Sequence, residues 1–360
     1  MLHFFGQMNR GGAEIRTKDL MEPLKKDIEF HFLSLSGLKG PLDDEIIQLG
    51  GKIHHIPLNM FFIFELYKLN RKESFDIAHS HVSLVSGAIV FLCFLLGIQK
   101  RICHFRNTDD SSKESFLRKT RNGLLKLLIK VFSTNILAVG ESSFNIRWSE
   151  NWRKDKRCKV IYNGFPLKKE KLSKGYWKEI IPNYDGSDVL IHVGRFDHQK
   201  NHVRLLEIFN ELLKNKLSYL ILVGKVKEPI NKQVQDYINY HSLEDRVYIL
   251  GEQSNVYPLL ANSNLLLFPS LWEGIPGVVV ESIMMGTRVV GSNIPSISEL
   301  SKKCDGIHLS DLNNSNSDWA VMVHHLLQKS YDRDVLINSF INSDFSIEKC
   351  TKSYLEIYES

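Results

Sequence analysis

Residues 189–202 read V-L-I-H-V-G-R-F-D-H-Q-K-N-H, and an apolar segment of helical length follows from Val203. Val189–Val193 is short and apolar, which suits a strand buried on both faces. A strand that passes through a glycine turn into a helix is half of a βαβ unit. The same alternation recurs in both directions along the chain. Upstream, candidate strands are Leu2–Phe5, Phe30–Ser34, Lys52–Ile56, Ile77–Ser80, Arg101–His104, Ile136–Val139 and Lys159–Tyr162. Downstream they are Tyr219–Val223, Val247–Leu250, Leu265–Phe268 and Arg288–Gly291. Strands separated by helices predict an α/β protein with parallel sheets covered on both faces.

A chain of 360 residues predicts two domains, at roughly 100–200 residues each. Between residues 163 and 186 lie Asn163-Gly164, Pro166, a lysine-rich stretch, Pro182 and Asp185-Gly186, which is loop chemistry. The expected division is therefore 1–165, then 166–345, with a last helix in 346–360 that begins near Ser346. Each large segment should be a doubly wound sheet, and such folds bind ligands at the carboxyl ends of their strands.

Hydrophobic residues at 43% and charged residues at 24% exclude a disordered, collagen-like or disulfide-stapled chain. The net charge of +5 is uneven: residues 1–165 hold 25 Lys/Arg against 17 Asp/Glu, and the rest hold 21 against 24. A basic front half either faces an anionic partner or is simply a solvated basic face. Cys93, Cys103, Cys158, Cys304 and Cys350 are dispersed, without metal-finger spacing, which suits the reducing cytoplasm. Met1-Leu2-His3-Phe4-Phe5-Gly6 lacks the basic region and long apolar run of a secretory signal. Val82 to Ile98 is 17 residues without a charge, at the short end for a membrane span. Its flanks, His79-Ser80-His81 and Gln99-Lys100-Arg101, favour a helix packed within an α/β domain.

Candidate chemistry gathers at predicted strand ends. Gly11-Gly12 follows the first strand and opens a helix, where a close backbone approach and free amides suit an anion. G-x-G-x-x-G is absent, which argues against a nicotinamide dehydrogenase. His79 and His81 share one face of a strand, and no cysteine or carboxylate joins them at zinc-ligand spacing. They suit hydrogen bonding to substrate or a structural pair, and His104 and Arg106 end the next strand on the same rim. Arg195 at a strand end and Lys200 near a helix start suit a diphosphate, as a guanidinium fork and a point charge. Glu273-Gly274-Ile275-Pro276-Gly277-Val278 leads into a helix that carries Glu281. Exposed amides near Gly277 and Val278 suit phosphate, while Glu281 in an apolar helix needs a partner such as ligand hydroxyls.

These motifs together resemble the retaining glycosyltransferases of family 4, especially bacterial exopolysaccharide, capsule and O-antigen enzymes. The resemblance covers almost the whole chain. It rests on N-R-G-G-A-E at 9–14, D-I-A-H-S-H at 76–81, V-I-Y-N-G at 160–164, V-G-R-F-D-H-Q-K-N-H at 193–202 and E-G-I-P-G-V-V-V-E at 273–281. It implies the GT-B architecture, two Rossmann-like doubly wound domains facing a central cleft. Residues 1–165 would bind the acceptor and 166–345 the nucleotide-sugar, with 346–360 crossing back to the first domain. A hexose would pass from a nucleotide-sugar, leaning to a UDP-sugar, onto a growing glycan on a polyprenyl diphosphate, with retention and with neither metal nor other cofactor. The implied catalytic residues are His81, Arg195, Lys200 and Glu273. Donor binding would add Gly274, Ile275, Pro276, Gly277, Val278, Glu281 and Val256. Gly11, Gly12, His104 and Arg106 would form the acceptor and phosphate loop.

Three departures from the family pattern stand out. Lys225-Val226-Lys227 replaces an acidic, glycine-rich turn, Gln253-Ser254-Asn255-Val256 replaces an Arg-x-Asp-Val pattern, and Arg106 replaces a histidine. The first two bear on base and donor selectivity, the third on acceptor contacts. Residues 113–132 combine Lys113, Arg118, Lys119, Arg121, Lys126 and Lys130 with apolar residues, the pattern of a helix lying on an anionic membrane. That predicts peripheral association with the inner face of the cytoplasmic membrane; nucleic acid is not an expected partner. The competing readings are a non-catalytic sugar-nucleotide-binding subunit and an epimerase or phosphorylase on the same fold.

Overall fold

The computed structural model describes residues 1–106 and 115–359. The chain divides into two compact units, Met1–Pro166 with Asp344–Ser360, and Leu167–Ser343. In the first unit the strands are β1 (Leu2–Phe5), β2 (His31–Ser34), β3 (Lys52–His55), β4 (Ile77–Ser80), β5 (Lys100–Phe105), β6 (Asn135–Ala138) and β7 (Cys158–Val160). They form one parallel sheet in the order β3-β2-β1-β4-β5-β6-β7. The second unit holds β8 (Asp188–Val193), β9 (Ser218–Val223), β10 (Val247–Gly251), β11 (Leu265–Phe268), β12 (Arg288–Ser292) and β13 (Ile307–Ser310). Their parallel order is β10-β9-β8-β11-β12-β13. Each sheet is Rossmann-like: it grows outward from its first strand in both directions, so a switch point lies beside β1 in one unit and β8 in the other.

Only β13 has no counterpart among the expected strands. Its Ile-His-Leu-Ser run sits at a sheet edge and is only partly buried, so it carries no continuous apolar run. The uncharged stretch from Val82 becomes a short turn, Ser83–Val85, and a helix, Ser86–Leu95. Ser86, Gly87, Ile89, Val90 and Cys93 are buried there. Gly87 lies against the Leu125 backbone so closely that a Cβ would collide with it. That contact locks the helix to its neighbour Phe116–Phe132. Among the described residues no helix is long and apolar enough to cross a membrane.

The helix Ile347–Glu359 belongs to the first unit. Ile347, Cys350, Tyr354, Ile357 and Tyr358 recur at helical spacing and are buried with Phe5, Met8 and Leu24. Lys100 Nζ donates to the carbonyls of Ile357 (2.7 Å) and Tyr358 (2.8 Å), closing the exposed end of the helix with a cation. Ser360 and Lys113 lie outside the described residues.

Candidate functional site

In the second unit the site begins where β8 ends. The Gly194 amide donates to Val223 at 2.8 Å, and Gly224, at φ +144°, lies directly against the Gly194 carbonyl. A side chain at 224 would meet that backbone, so glycine is required. Gly194 is itself covered by the aliphatic stem of Lys200, whose carbons would lie 2.9–3.0 Å from a Cβ. The stem delivers the ammonium to Glu273: Nζ to Oε1 is 2.6 Å, with the Lys200 side chain 13% and the Glu273 side chain 7% exposed. Nζ also stands 4.6 Å from the centre of the Phe268 ring, a favourable cation–π placement.

Hydrogen bonds tie the two loops together. Leu271 N donates to Gln199 O (2.9 Å), Gln199 Nε2 to Trp272 O (2.7 Å) and Asn201 Nδ2 to Pro269 O (3.1 Å). The His198 and Trp272 rings meet edge to face at 5.6 Å. Beneath them His192 is fully buried; its Nδ1 donates to Leu267 O at 2.9 Å, and burial holds the ring well below its usual pKa.

The other predicted donor residues are placed differently. Arg195 is 61% exposed and pairs with Asp197 at 3.4 Å; it makes no bond to Lys200 or Glu273. Gly274 and Ile275 are half-buried. Pro276 is the N-cap of helix Gly277–Met284. Pro276 offers no side-chain cap to that helix, and its first amides point outward as donors suited to an anion. Val278 lies in the first turn, and Glu281 is half-buried one turn further on. Val256 caps a separate short helix, Tyr257–Asn262.

The first unit holds a buried imidazole chain. His81 Nε2 is 3.0 Å from His3 Nδ1, and His79 Nε2 is 3.1 Å from His104 Nδ1. Tyr358 Oη lies 2.9 Å from His79 Nδ1. The His79 and His81 rings stack at 4.2 Å, and Phe5 stacks on His81 at 4.3 Å. Arg106 organises one end: Nε donates to His81 Nδ1 (3.2 Å), Nη1 to Asn163 Oδ1 (2.5 Å) and Nη2 to Thr17 Oγ1 (2.7 Å). Because Nδ1 of His81 accepts from Arg106, its proton sits on Nε2 and is donated to His3. Burial, reinforced by the Arg106 charge, holds all four imidazoles well below their usual pKa. His81 is thus neutral, only 8% exposed, and engaged at both nitrogens.

Gly11 is the N-cap of helix Gly12–Asp19, with Gly12 its first residue. The Glu14 carboxylate folds back over Gly11, so that a Cβ on Gly11 would meet its Oε2. Burial raises the Glu14 pKa. An anion bound at this helix end would have to displace that carboxylate.

Among the described residues two groups bring three ligand-type atoms within 4.8 Å, His3/His79/His81 and Glu29/His31/Glu73. In the first, His3 and His81 bond each other and Arg106 adds a guanidinium without a carboxylate. In the second, the Lys52 ammonium already lies 2.7 Å from Glu29 and 3.1 Å from Glu73. Both donor sets are committed to other partners.

His3, Tyr358, Thr17 and the Asn163 side chain carry no role in the sequence reading. His3 was reachable: β1 beside β4 pairs His3 with His79 in register. Tyr358 was not, because its contact depends on where a distant helix docks.

Residues 173–333 match the family described as Glycosyl transferases group 1. The chain is 34% identical to the capsular polysaccharide biosynthesis glycosyltransferase CapH of Staphylococcus aureus, over 100% of this chain and 98% of that enzyme. It is 29% identical to the UDP-Gal:alpha-D-GlcNAc-diphosphoundecaprenol alpha-1,3-galactosyltransferase of Escherichia coli, over 83% of this chain and 80% of that enzyme. The structure of Anabaena HepE in complex with UDP aligns with a TM-score of 0.82 at 17% identity, over 99% of this chain and 98% of HepE. The two parallel sheets are therefore those of the GT-B fold.

Proposed function

The chain belongs to the glycosyl transferases group 1 family, and from that premise we propose that it moves a hexose from a UDP-sugar to a polyprenyl-diphosphate-linked glycan during capsule or exopolysaccharide assembly. Transfer retains the anomeric configuration and needs no metal ion. The relatives support this reading: one is a capsular enzyme, and another is named for a UDP-sugar donor, a diphosphoundecaprenol acceptor and an alpha linkage.

The Lys200–Glu273 pair carries the proposal. An ammonium offers three donors; Glu273 takes one, and the others suit a pyrophosphate. Cleavage of the anomeric bond puts negative charge on the departing nucleoside diphosphate. A fixed cation and the N-terminal end of helix Gly277–Met284 stabilise that charge without a divalent ion, and removing one such group costs roughly 100- to 1000-fold in rate. Arg195, largely exposed, supplies a second cation. Glu281 takes the ribose hydroxyls, and the Gly274–Val278 backbone with Glu273 holds the sugar and phosphate.

A carboxylate bonded to an ammonium is a poor nucleophile, so a glycosyl-enzyme intermediate on Glu273 is disfavoured. The reading is front-face attack, with the leaving phosphate oxygen accepting the acceptor's proton. In the first unit Arg106 and the neutral His81 serve the acceptor, with Gly11 and Gly12 alongside; His104, fully buried, acts through its bond to His79 rather than by contact. The enzyme works at the inner face of the cytoplasmic membrane, where such an acceptor resides.

The test is a panel of UDP-, GDP- and ADP-sugars with a short-chain polyprenyl-diphosphate acceptor in EDTA, with product anomers read by NMR. An α-linked product from an α-linked UDP-sugar supports the proposal. An inverted product or an absolute metal requirement refutes the mechanism, and epimerised sugar nucleotide without a glycoside refutes the activity.

A further inference from the structure

The helix Phe116–Phe132 keeps one side bare: Phe116, Leu117, Leu124, Leu127 and Val131 each expose more than half their surface. Beside it a cavity of about 540 Å³ opens against residues 148–156. Four lysines line it, Lys126, Lys130, Lys154 and Lys156, with the rings of Trp148 and Trp152. Its one carboxylate, Asp155, is already taken by Arg157, with Oδ2 at 2.7 Å from Nη2 and Oδ1 at 3.0 Å from Nε. Nearby Glu141 pairs with Arg153 at 2.6 Å. Lys126 donates weakly to Trp148 O at 3.4 Å. Lys130, Lys154 and Lys156 are exposed and make no side-chain hydrogen bond among the described residues.

Four ammonium groups around one concavity, with its one lining carboxylate already paired, call for an anion. The rim narrows which one. A free phosphate gains nothing from bare leucines, whereas an apolar helix face beside a cationic concavity suits a membrane interface.

We propose that this cavity docks the phosphate headgroup of an anionic phospholipid, with the bare helix face resting in the bilayer interface. The proposal rests on the peripheral membrane reading above and assigns it a specific grip. Lys126 and Lys130 come from the helix, whereas Lys154 and Lys156 come from the segment before β7, so the fold assembles a charge cluster that no single amphipathic stretch contains. Each lysine near an anionic surface strengthens binding about fivefold, so three together account for a change on the order of a hundredfold.

The experiment is flotation with vesicles of phosphatidylcholine alone or of phosphatidylcholine mixed with phosphatidylglycerol, which gives the surface a negative potential. It compares the wild-type chain with Lys130→Gln/Lys154→Gln/Lys156→Gln and with Arg118→Gln/Lys119→Gln/Arg121→Gln, which removes three charges of the same helix region outside the cavity. Far-UV circular dichroism and the melting transition check that each variant is folded, because all the substitutions lie in the first unit. Selective loss of anionic-vesicle binding in the cavity variant, by far more than in the control variant, supports the proposal. Equal loss in both overturns the cavity while leaving membrane association standing. Wild-type protein that ignores anionic lipid overturns both. Saturable binding of glycerol phosphate in solution with no vesicle preference assigns the cavity to a soluble phosphate ester and overturns the lipid headgroup.

Discussion

Lys200 Nζ stands 2.6 Å from Glu273 Oε1, and neither side chain is much exposed. Two groups that the sequence assigns to different parts of a donor, the diphosphate and the sugar, are therefore one electrostatic unit. Removing either leaves its partner charged and poorly solvated.

That coupling is measurable as stability. Lys200→Met should destabilise the second unit by about 3 kcal/mol, because a withdrawn carboxylate loses its cation. The double variant with Glu273→Gln should recover most of that loss. Urea denaturation of the four proteins in a double-mutant cycle gives the coupling; strictly additive effects would mean that the pair is not a unit.

The backbone crossing at the β8 loop predicts an order among glycines. Gly224→Ala should be the more damaging substitution, since its Cβ meets the Gly194 carbonyl and its φ of +144° is strained for any other residue. Gly194→Ala presses only on the movable stem of Lys200. Thermal melting should show Gly224→Ala well below Gly194→Ala, whereas activity should fall for both because each shifts the loop that carries Arg195 and Lys200.

Acid should loosen the first unit before carboxylates begin to titrate. His3, His79, His81 and His104 are held neutral well below the ordinary histidine value of 6.5. Once unfolded they protonate near that value, so the unfolded chain binds more protons and stability falls as pH drops below 6.5. Each imidazole contributes about 1.4 kcal/mol per pH unit to that slope. Denaturation at pH 7.5, 6.5 and 5.5 should show little change over the first interval and a steep loss over the second. His104→Gln should flatten the second by about one imidazole's share.

Arg106→Leu separates the duties of the two units. It strips His81 Nδ1, Asn163 and Thr17 of their donor, so acceptor kcat/KM should fall by roughly tenfold or more, the cost of an interaction of about 1.5–3 kcal/mol. UDP affinity should not move. A matching loss of UDP affinity would contradict the assignment of Arg106 to the acceptor side.

How much of this the sequence discloses depends on the range of each contact. The β8 strand, its glycine turn and Lys200 are local features, legible as a short apolar run followed by a charged loop. Their link to Glu273 spans 73 residues and could be anticipated only because β8 and β11 are neighbours in the fold. The histidine chain was half visible. His79 and His81 share a strand face by spacing alone, but His3, Tyr358 and Thr17 arrive from β1, the last helix and the first. The β13 strand carries too weak an apolar signal, because Ile-His-Leu-Ser alternates apolar with polar residues at a partly buried sheet edge. Nothing in the spacing of residues 9–14 indicated that Glu14 would fold over Gly11.

The central claim is that Lys200, held by Glu273, grips the donor diphosphate. Isothermal calorimetry of UDP binding to the wild-type chain and to Lys200→Met, in EDTA, tests it most directly. Loss of one charge-assisted contact predicts affinity weaker by about 10- to 100-fold, with Arg106→Leu binding UDP as the wild type does. Equal UDP affinity in wild type and Lys200→Met would contradict the account.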